Sequence, residues 1–577
     1  MDQFLTAPRA IVDDVLDAVA ALQPLLRSDP ASGTRIVLQA ARDPAQVAVL
    51  SGGGAGHEPA HAGFVGPGML SGAIAGDLFA SPGVDAVLAA IRACADAPGV
   101  LLVIKNYTGD RLNFGLAAER ARAEGIDVAS VLVADDIALP DAAQPRGIAG
   151  TVLVHKYVGH LAREGVALAE LAQRGQAFAE RLLSLGMALS SCTVPGRHTS
   201  RRAPELGLGI HNEPGTRKVQ PASVEDALAL VLDPLLAQAD ARYGADAPLV
   251  LLLNDLGGCS TQELGVLTRL ALQRIGSERI ALMTLPAALM TSMDMHGFSI
   301  TLAPADADVL AALRSPVQTV GWPGVRVPHA PVHFAPALSR SDAFRHGVRD
   351  AQRAAALARV AQALIAAQAE LDALDAQTGD GDAGSTFAAG ARALQQALQQ
   401  DALATGAAAP LAHGLAATIE RSMGGSSGVL LSILFTTAAT ELEAGHGWVP
   451  ALQAGVARMQ HYGGAQLGDR TMLDALLPAL HALARGGSAD DAARAARAGA
   501  DATAQLTQAR AGRAAAVPAD ALRGVADPGA DAVARAFAAG VDERRHCAAA
   551  DRRGPVAAVS ATTNGAGQLH GVGHSRD

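Results

Sequence analysis

"GVLLVIKNYTGD", residues 99–110, decides the architecture of the first half of this chain. From Val100 to Ile104 every side chain is apolar, with none of the polar alternation of a half-exposed strand. The segment therefore reads as a strand buried on both faces, as in a parallel sheet covered by helices. Lys105 and Asp110 follow at its carboxyl end, where open α/β sheets present groups to ligands. The same grammar recurs in "VAVL" (47–50), "VASVLVADD" (128–136), "PLVLLLNDLGG" (248–258) and "RIALMTL" (279–285), with amphipathic segments between them. Residues 1–330 thus read as α/β, in two subdomains of about 1–188 and 189–330.

The pattern breaks at "PGVRVPHAPVHFAPALSRSD" (323–342), and 331–348 reads as an extended linker. From 349 to 545 nearly everything has helical periodicity, which gives an all-α second domain. Residues 546–577, ending "ATTNGAGQLHGVGHSRD", are glycine-rich and polar and read as a flexible tail.

A chain of 577 residues exceeds one hydrophobic core. Its net charge of −10 and lack of a basic patch speak against a nucleic-acid partner. The opening "MDQFLTAPRAIVDD" does not read as a signal peptide, and the longest apolar stretch, "GVLLSILFTTAAT" (428–440), is a buried helix rather than a membrane span. The four cysteines, 94, 192, 259 and 547, lie far apart with no CxxC pair, as expected for reduced thiols in a cytoplasm and no structural zinc.

The sharpest local signal is "LDALDAQTGDGDAGST" (371–386). Asp375 sits near a helix end, and a glycine-rich turn presents Asp380 and Asp382. Three carboxylates this close repel one another unless a cation is present, and an all-oxygen set selects Mg²⁺ or Ca²⁺. An EF-hand fails, since its fifth and twelfth positions would be Gly384 and Ala391. "SMGGSSGVLLS" (422–432) is a glycine–serine turn entering a helix, where Ser426, Ser427 and free N–H groups suit phosphate. In "VLSGGGAGHEPAHAGFVG" (49–66), HEPAH formally matches a zinc-protease pattern, but Pro59 breaks the helix that pattern needs. His57 reads instead as the end of a glycine-lined strand facing a small polar ligand. Lys105 and Asp110 suit substrate binding and proton handling. "ELGLGIHNEPG" (205–215) surrounds His211 with glycines, which allow close approach of backbone or ligand.

Taken in order, "GGGAGHEP", "KNYTGD", "GIHNEPG", "LGG" (256–258), "TSMDMHGFS" (291–299), "LDALDAQTGDGDAG", "GGSSG", "GDRTMLDAL" (468–476), "AGRA" (511–514) and "DPGA" (527–530) resemble the dihydroxyacetone kinase family in its single-chain, ATP-dependent form. The resemblance implies an α/β ketose domain joined to a barrel of eight antiparallel helices, working as a homodimer. It implies that His211 holds a short-chain ketose as a covalent hemiaminal, with His57 assisting. Gly54, Ala55, Gly56 and Lys105 would line the pocket, and Asp110 would bind the accepting hydroxyl. Asp375, Asp380 and Asp382 would hold two Mg²⁺ ions on the ATP phosphates. Ala383, Gly384, Ser385, Thr386, Ser426 and Ser427 would contact phosphate. Gly463, Met472, Arg513, Asp527, Pro528 and Gly529 would surround the nucleotide. Departures are Asn212, where relatives often carry glycine, Ala383 beside the ligands, and Ala515 after "GRA". They leave erythrulose as an alternative to dihydroxyacetone. Relatives also include ketose-sensing regulators and phosphotransferase-system subunits that do not use ATP, and some members split FAD.

Overall fold

The structure is a computed structural model that describes residues 3–7, 10–139, 144–196, 202–336 and 348–541. The tail expected at 546–577 and the linker residues 337–347 lie outside the described residues, as does the side chain of Arg513. The chain divides into two compact units, Met1–Phe334 and Ala335–Asp577.

The first unit contains two sheets. One takes β1 (Leu25–Arg27), β2 (Ile36–Gln39), β3 (Ala48–Ala55), β4 (Gly72–Leu78), β5 (Val100–Lys105) and β6 (Val128–Val133) in the spatial order β1-β2-β4-β3-β5-β6. The run β4-β3-β5-β6 is parallel, and β1 and β2 close one side antiparallel. α1 (Ile11–Leu22) precedes the sheet, α2 (Val84–Arg92) and α3 (Thr108–Ala123) connect β4 to β5 and β5 to β6, and α4 (Thr151–Arg163) and α5 (Leu168–Ala179) follow β6. All six residues of β5 are buried, as its unbroken apolar run requires.

The glycine run after "VAVL" is not a loop. β3 continues through Gly52, Gly53 and Gly54 to Ala55. A Cβ at Gly52 would drive into the Ile74 carbonyl oxygen of β4, and one at Gly54 would stand 2.7 Å from the Ala80 nitrogen. Here glycine allows close backbone approach inside a strand rather than marking a turn.

The second sheet contains β7 (Leu183–Ser190), β8 (Glu205–Leu206), β9 (Arg217–Lys218), β10 (Leu249–Asp255), β11 (Ile280–Thr284), β12 (Ala287–Ala288), β13 (His296–Pro304) and β14 (Val325–Arg326). Its order is β14-β11-β10-β13-β7-β8-β9, with β12 beside β10. Antiparallel β13 lies between β10 and β7, and α6 (Val224–Tyr243), α7 (Thr261–Ile275) and α8 (Ala307–Arg314) complete the unit.

The second unit is helical throughout its described part. It comprises α9 (Ala351–Ala366), α10 (Gln368–Asp375), α11 (Ala383–Gln399), α12 (Ala408–Ser422), α13 (Gly425–Glu443), α14 (Trp448–Gly463), α15 (Leu473–Ala484), α16 (Ala489–Thr503), α17 (Ala519–Leu522) and α18 (Pro528–Gly540). The long helices touch in the closed sequence α9-α11-α12-α13-α14-α15-α16-α18-α9, a barrel of eight. Alanine carries much of its core, including Ala475, Ala479, Ala492, Ala496 and Ala500. Small side chains on both partners let helices approach closely, with Phe387 among the few aromatics in this core. Among the described residues no helix is long and apolar enough to cross a membrane.

Candidate functional site

In the first unit, the loop after β3, the ends of β4 and β5 and the turn after β8 bring four aromatic rings together. His57 and His211 stand edge to face with centroids 4.7 Å apart, and Tyr107 and Phe79 pack on His211 at 4.3 and 5.9 Å. Asn212 adopts φ 66°, the left-handed turn conformation that Asn tolerates better than most residues. His57 is fully buried, and its Nδ1 donates to the Thr291 carbonyl at 2.9 Å. Burial, then the charge of Lys105 and the neighbouring His211, hold His57 well below the usual imidazole range, so it is neutral. Its Nε2 is then a lone pair, buried and without a hydrogen-bond partner.

His211 is partly exposed, and both oxygens of Glu213 face it. Oε1 lies 3.4 Å from Nδ1, and Oε2 accepts the His211 backbone N–H at 2.9 Å. Burial opposes ionisation of Glu213, but the hydrogen bonds from His211 prevail and hold its carboxyl below the usual range. A hydrogen on Nδ1 toward Glu213 leaves Nε2 of His211 as a nucleophilic lone pair.

Lys105 and Asp110 converge on Gly53. A Cβ there would lie 2.8 Å from Lys105 Nζ and 3.5 Å from Asp110 Oδ2. Asp110, in the first turn of α3, takes the Ser81 hydroxyl on Oδ1, and its Oδ2 is buried and unpartnered. An unmatched buried polar atom costs about 1–3 kcal/mol, more than the ~0–1 kcal/mol returned by a surface ion pair. Two such atoms, His57 Nε2 and Asp110 Oδ2, therefore favour a ligand that hydrogen-bonds to both. Gly56 (φ 97°) packs under the Phe79 ring, and its N–H donates to the Glu58 carboxylate at 3.0 Å.

Lys105 is fully buried, and burial pushes its amine below the ordinary range against the pull of Asp110, Glu213 and Glu58. Its Nζ lies 3.2 Å from His61 Nε2. His61 Nδ1 is 3.3 Å from Ser51 Oγ, His155 Nε2 is 3.1 Å from the same oxygen, and Ser51 donates to the Val103 carbonyl at 2.8 Å. The hydrogens follow by counting. With its own hydrogen on Val103, Ser51 accepts from both imidazoles, which leaves His61 Nε2 to accept from Lys105. Burial, with Lys105 nearby, holds both histidines neutral, His155 down to about 3. His61 was visible in the sequence only as the second histidine of HEPAH. In the structure residues 57–61 form a turn, so that pattern has no helix to act on.

β3 also borders a cavity of about 350 Å³ whose other wall is Val12, Val15, Leu16 and Val19 of α1. None of His57, Lys105, Asp110 or His211 lines it, though Gly53, Gly54, Ala55, Glu58 and His61 do, so this volume lies behind the wall that carries the chemistry.

In the second unit, Asp375, Asp380 and Asp382 each offer an oxygen within 4.8 Å of the others. Asp375 Oδ2 accepts the N–H groups of Gly381 (3.0 Å), Asp382 (3.0 Å) and Ala383 (3.2 Å), so this carboxylate also folds the loop. Gly381 takes φ 79° in that turn. Ala383, Gly384, Ser385 and Thr386 form the first turn of α11. Asp372, absent from the sequence reading, accepts the Ser385 N–H at 2.7 Å and its hydroxyl at 2.9 Å. Ser426 and Ser427 lie in the first turn of α13 rather than in a preceding loop, and α13 touches α11. Gly463 ends α14 against Leu430 of α13. A Cβ on Gly529 would stand 3.4 Å from that of buried Met472, so these two distant motifs meet. Asp527 caps α18, accepting the Ala530 N–H at 2.7 Å, with Pro528 in the helix's first turn. Burial, against that hydrogen bond and Arg470, pushes its carboxyl up to about 7.

A Dak1 domain matches residues 18–321 and a DAK2 domain residues 377–542. The chain is 43% identical to dihydroxyacetone kinase of Citrobacter freundii, over 93% of this chain and 99% of that one. It is 41% identical to triokinase/FMN cyclase of Mus musculus, over 82% and 86%. The solved structure of the C. freundii enzyme in complex with AMP-PNP and Mg²⁺ superposes with TM-score 0.73 over 93% of this chain and 99% of that chain.

Proposed function

The chain belongs to the dihydroxyacetone kinase family, and on that premise we propose that it phosphorylates a short-chain ketose, dihydroxyacetone before erythrulose, with ATP as donor and Mg²⁺ as metal. The observation that carries the reading is the pairing of two unpartnered buried acceptors, His57 Nε2 and Asp110 Oδ2, with the partly exposed His211 ring. In this reading residues 1–330 bind the ketose and residues 349–545 bind Mg-ATP, in a cytoplasmic homodimer.

His211 Nε2 attacks the carbonyl carbon, and the C=O π pair moves to oxygen. That oxygen gains one proton while imidazole Nδ1 releases one toward Glu213, so the product is a neutral hemiaminal. His57 Nε2 accepts a substrate hydroxyl hydrogen, and Lys105 donates into the space that Gly53 leaves open. The captured ketose presents a terminal hydroxyl to Asp110 Oδ2, which orients it and takes its proton as the hydroxyl oxygen bonds the γ-phosphorus and the P–O bond to the leaving ADP breaks. Glycerol has the hydroxyls but no carbonyl to attack, so the anchor is also the filter. The carboxylates of Asp375, Asp380 and Asp382 fit Mg²⁺, being an all-oxygen set with ligand atoms already close. Bound there, the metal supplies neutralisation of phosphate charge. Transfer through a loose transition state is then mainly a matter of position and electrostatics.

The test is ADP release from Mg-ATP with dihydroxyacetone, erythrulose and glycerol offered separately. Release with a ketose and none with glycerol supports the capture mechanism, and the ratio between ketoses names the substrate. Ketose binding without ADP release would replace the kinase reading with a sensor or a phosphotransferase-system component.

A further inference from the structure

Outside the residues assigned above, Cys259, Glu263 and His296 each direct one donor atom into a common space, all three within 4.8 Å of one another. We propose that these side chains form a site for zinc-class divalent cations, with Cys259 Sγ, Glu263 Oε1 and His296 Nε2 as ligands and water as the fourth. The donor set is its first argument. One sulfur, one imidazole nitrogen and one carboxylate oxygen suit Zn²⁺, whereas Mg²⁺ takes oxygen alone.

The second argument is how firmly the backbone holds the three together. Cys259 immediately precedes Ser260, the N-cap of α7, and Glu263 is the reciprocal member of that capping box. Glu263 Oε2 accepts the Ser260 N–H at 2.7 Å and its hydroxyl at 2.9 Å, which leaves Oε1 turned to His296 Nε2 at 2.7 Å. His296 opens β13 and is brought in by Gly258, whose missing Cβ would stand 2.8 Å from the His296 Cα. Asp255 accepts the Gly257 and Cys259 N–H groups at 2.8 and 3.0 Å, fixing the approach to the cysteine and adding negative charge beside it.

Burial, then the charges of Asp255 and Glu263, push the Cys259 thiol up to about 12, so a bound cation must displace its proton. The Cys259 thiol donates to the Gly297 carbonyl at 3.2 Å, but that oxygen already accepts the Leu256 N–H at 2.9 Å. Losing the thiol hydrogen therefore orphans no backbone acceptor. On binding, the S–metal bond forms as the S–H proton leaves to solvent, and His296 binds as neutral imidazole with its hydrogen on Nδ1. The Nε2···Oε1 contact opens from 2.7 Å to roughly 3.3 Å, the edge of a tetrahedron with ~2.0 Å metal–ligand bonds. Such a metal would pin the segment 291–296 to α7. That segment supplies the Thr291 carbonyl to His57 and donates the Met293 N–H to the Gly56 carbonyl at 2.9 Å.

The test is Co²⁺ titration of the metal-stripped full chain in excess Mg²⁺, read as thiolate-to-cobalt absorption in the near ultraviolet. An oxygen-only site gives no such band, so the carboxylate cluster is silent. The proposal expects a band that saturates at one equivalent, is displaced by Zn²⁺ and is absent in Cys259→Ser. His296→Ala should weaken cobalt binding by about tenfold or more, since a ligand is lost. No band in the unmodified chain, a band persisting in Cys259→Ser, or an affinity unchanged in His296→Ala would each overturn it. If Cys259→Ser does not fold, the His296→Ala titration decides alone. None of these readouts depends on ketose turnover.

Discussion

The rings of His57 and His211 meet edge to face, 4.7 Å apart and inclined at 82°, although one follows β3 of the first sheet and the other lies in the turn after β8 of the second. His57 is fixed by its bond to Thr291 and buried, whereas the His211 ring stays partly exposed. In the proposed mechanism one ring holds the substrate and the other attacks it. His211→Ala should abolish the covalent ketose adduct, seen by mass spectrometry or by the carbonyl carbon in NMR. His57→Ala should leave an adduct that forms at least ~10-fold more slowly, within the range general acid–base help supplies.

Asp380→Asn should remove turnover while ketose capture by His211 survives. The carboxylate cluster and the histidine pocket belong to different compact units, so their losses should separate. Loss of capture together with ADP release would contradict the division of labour. Stripping Mg²⁺ with EDTA should reproduce the Asp380→Asn phenotype in the unmodified enzyme.

The relay from Lys105 through His61 to Ser51 and His155 is expected to position the lysine. His61→Gln keeps an acceptor for Lys105, whereas His61→Leu removes it. The leucine variant should raise the ketose KM by about tenfold, worth ~1.4 kcal/mol, with the KM for Mg-ATP unchanged. The glutamine variant should recover most of that loss. Equal effects of the two variants on ketose KM would reduce the relay to packing.

Asp527 carries a folded-state carboxyl raised to about 7 against an ordinary 3.8, the cause being burial. Between those values the native state holds a proton that the unfolded chain has lost. Stability therefore falls as pH rises from about 4 to 7 and levels off above. Asn caps a helix as well as Asp does and carries no charge. In metal-free protein Asp527→Asn should raise the melting temperature at pH 8, on the order of 5 °C, and change it little at pH 4. A constant difference across that window would refute the linkage.

What could be read from the sequence follows from how far apart the cooperating residues lie. Asp375, Asp380 and Asp382 share one short loop, so connectivity alone brings their oxygens together. The strand at 100–105 was readable because burial on both faces leaves an unbroken apolar run. His211 was legible only through its glycine setting and the motif order. Ser51, His61, Lys105 and His155 were not legible as a unit, since they come from two strands, a turn and a helix whose packing creates the relay. Asp372 was hidden for another reason: its task is to cap α11 through Ser385, a contact across a chain reversal. The glycine run at 52–54 was legible as the lining of a strand end, but not which backbone each glycine admits, because composition does not name the neighbouring strand.

The bond from His57 to Thr291 spans 234 positions of chain. Contacts of such separation carry a large loop-closure cost and tend to form after local ones. His57 is therefore immobilised only when both sheets have found each other. A nascent or half-assembled chain can contain every residue of the pocket yet have no geometry with which to trap a reactive carbonyl. Chemical competence becomes a late checkpoint of folding, and adduct formation after dilution from denaturant would time the docking of the two sheets.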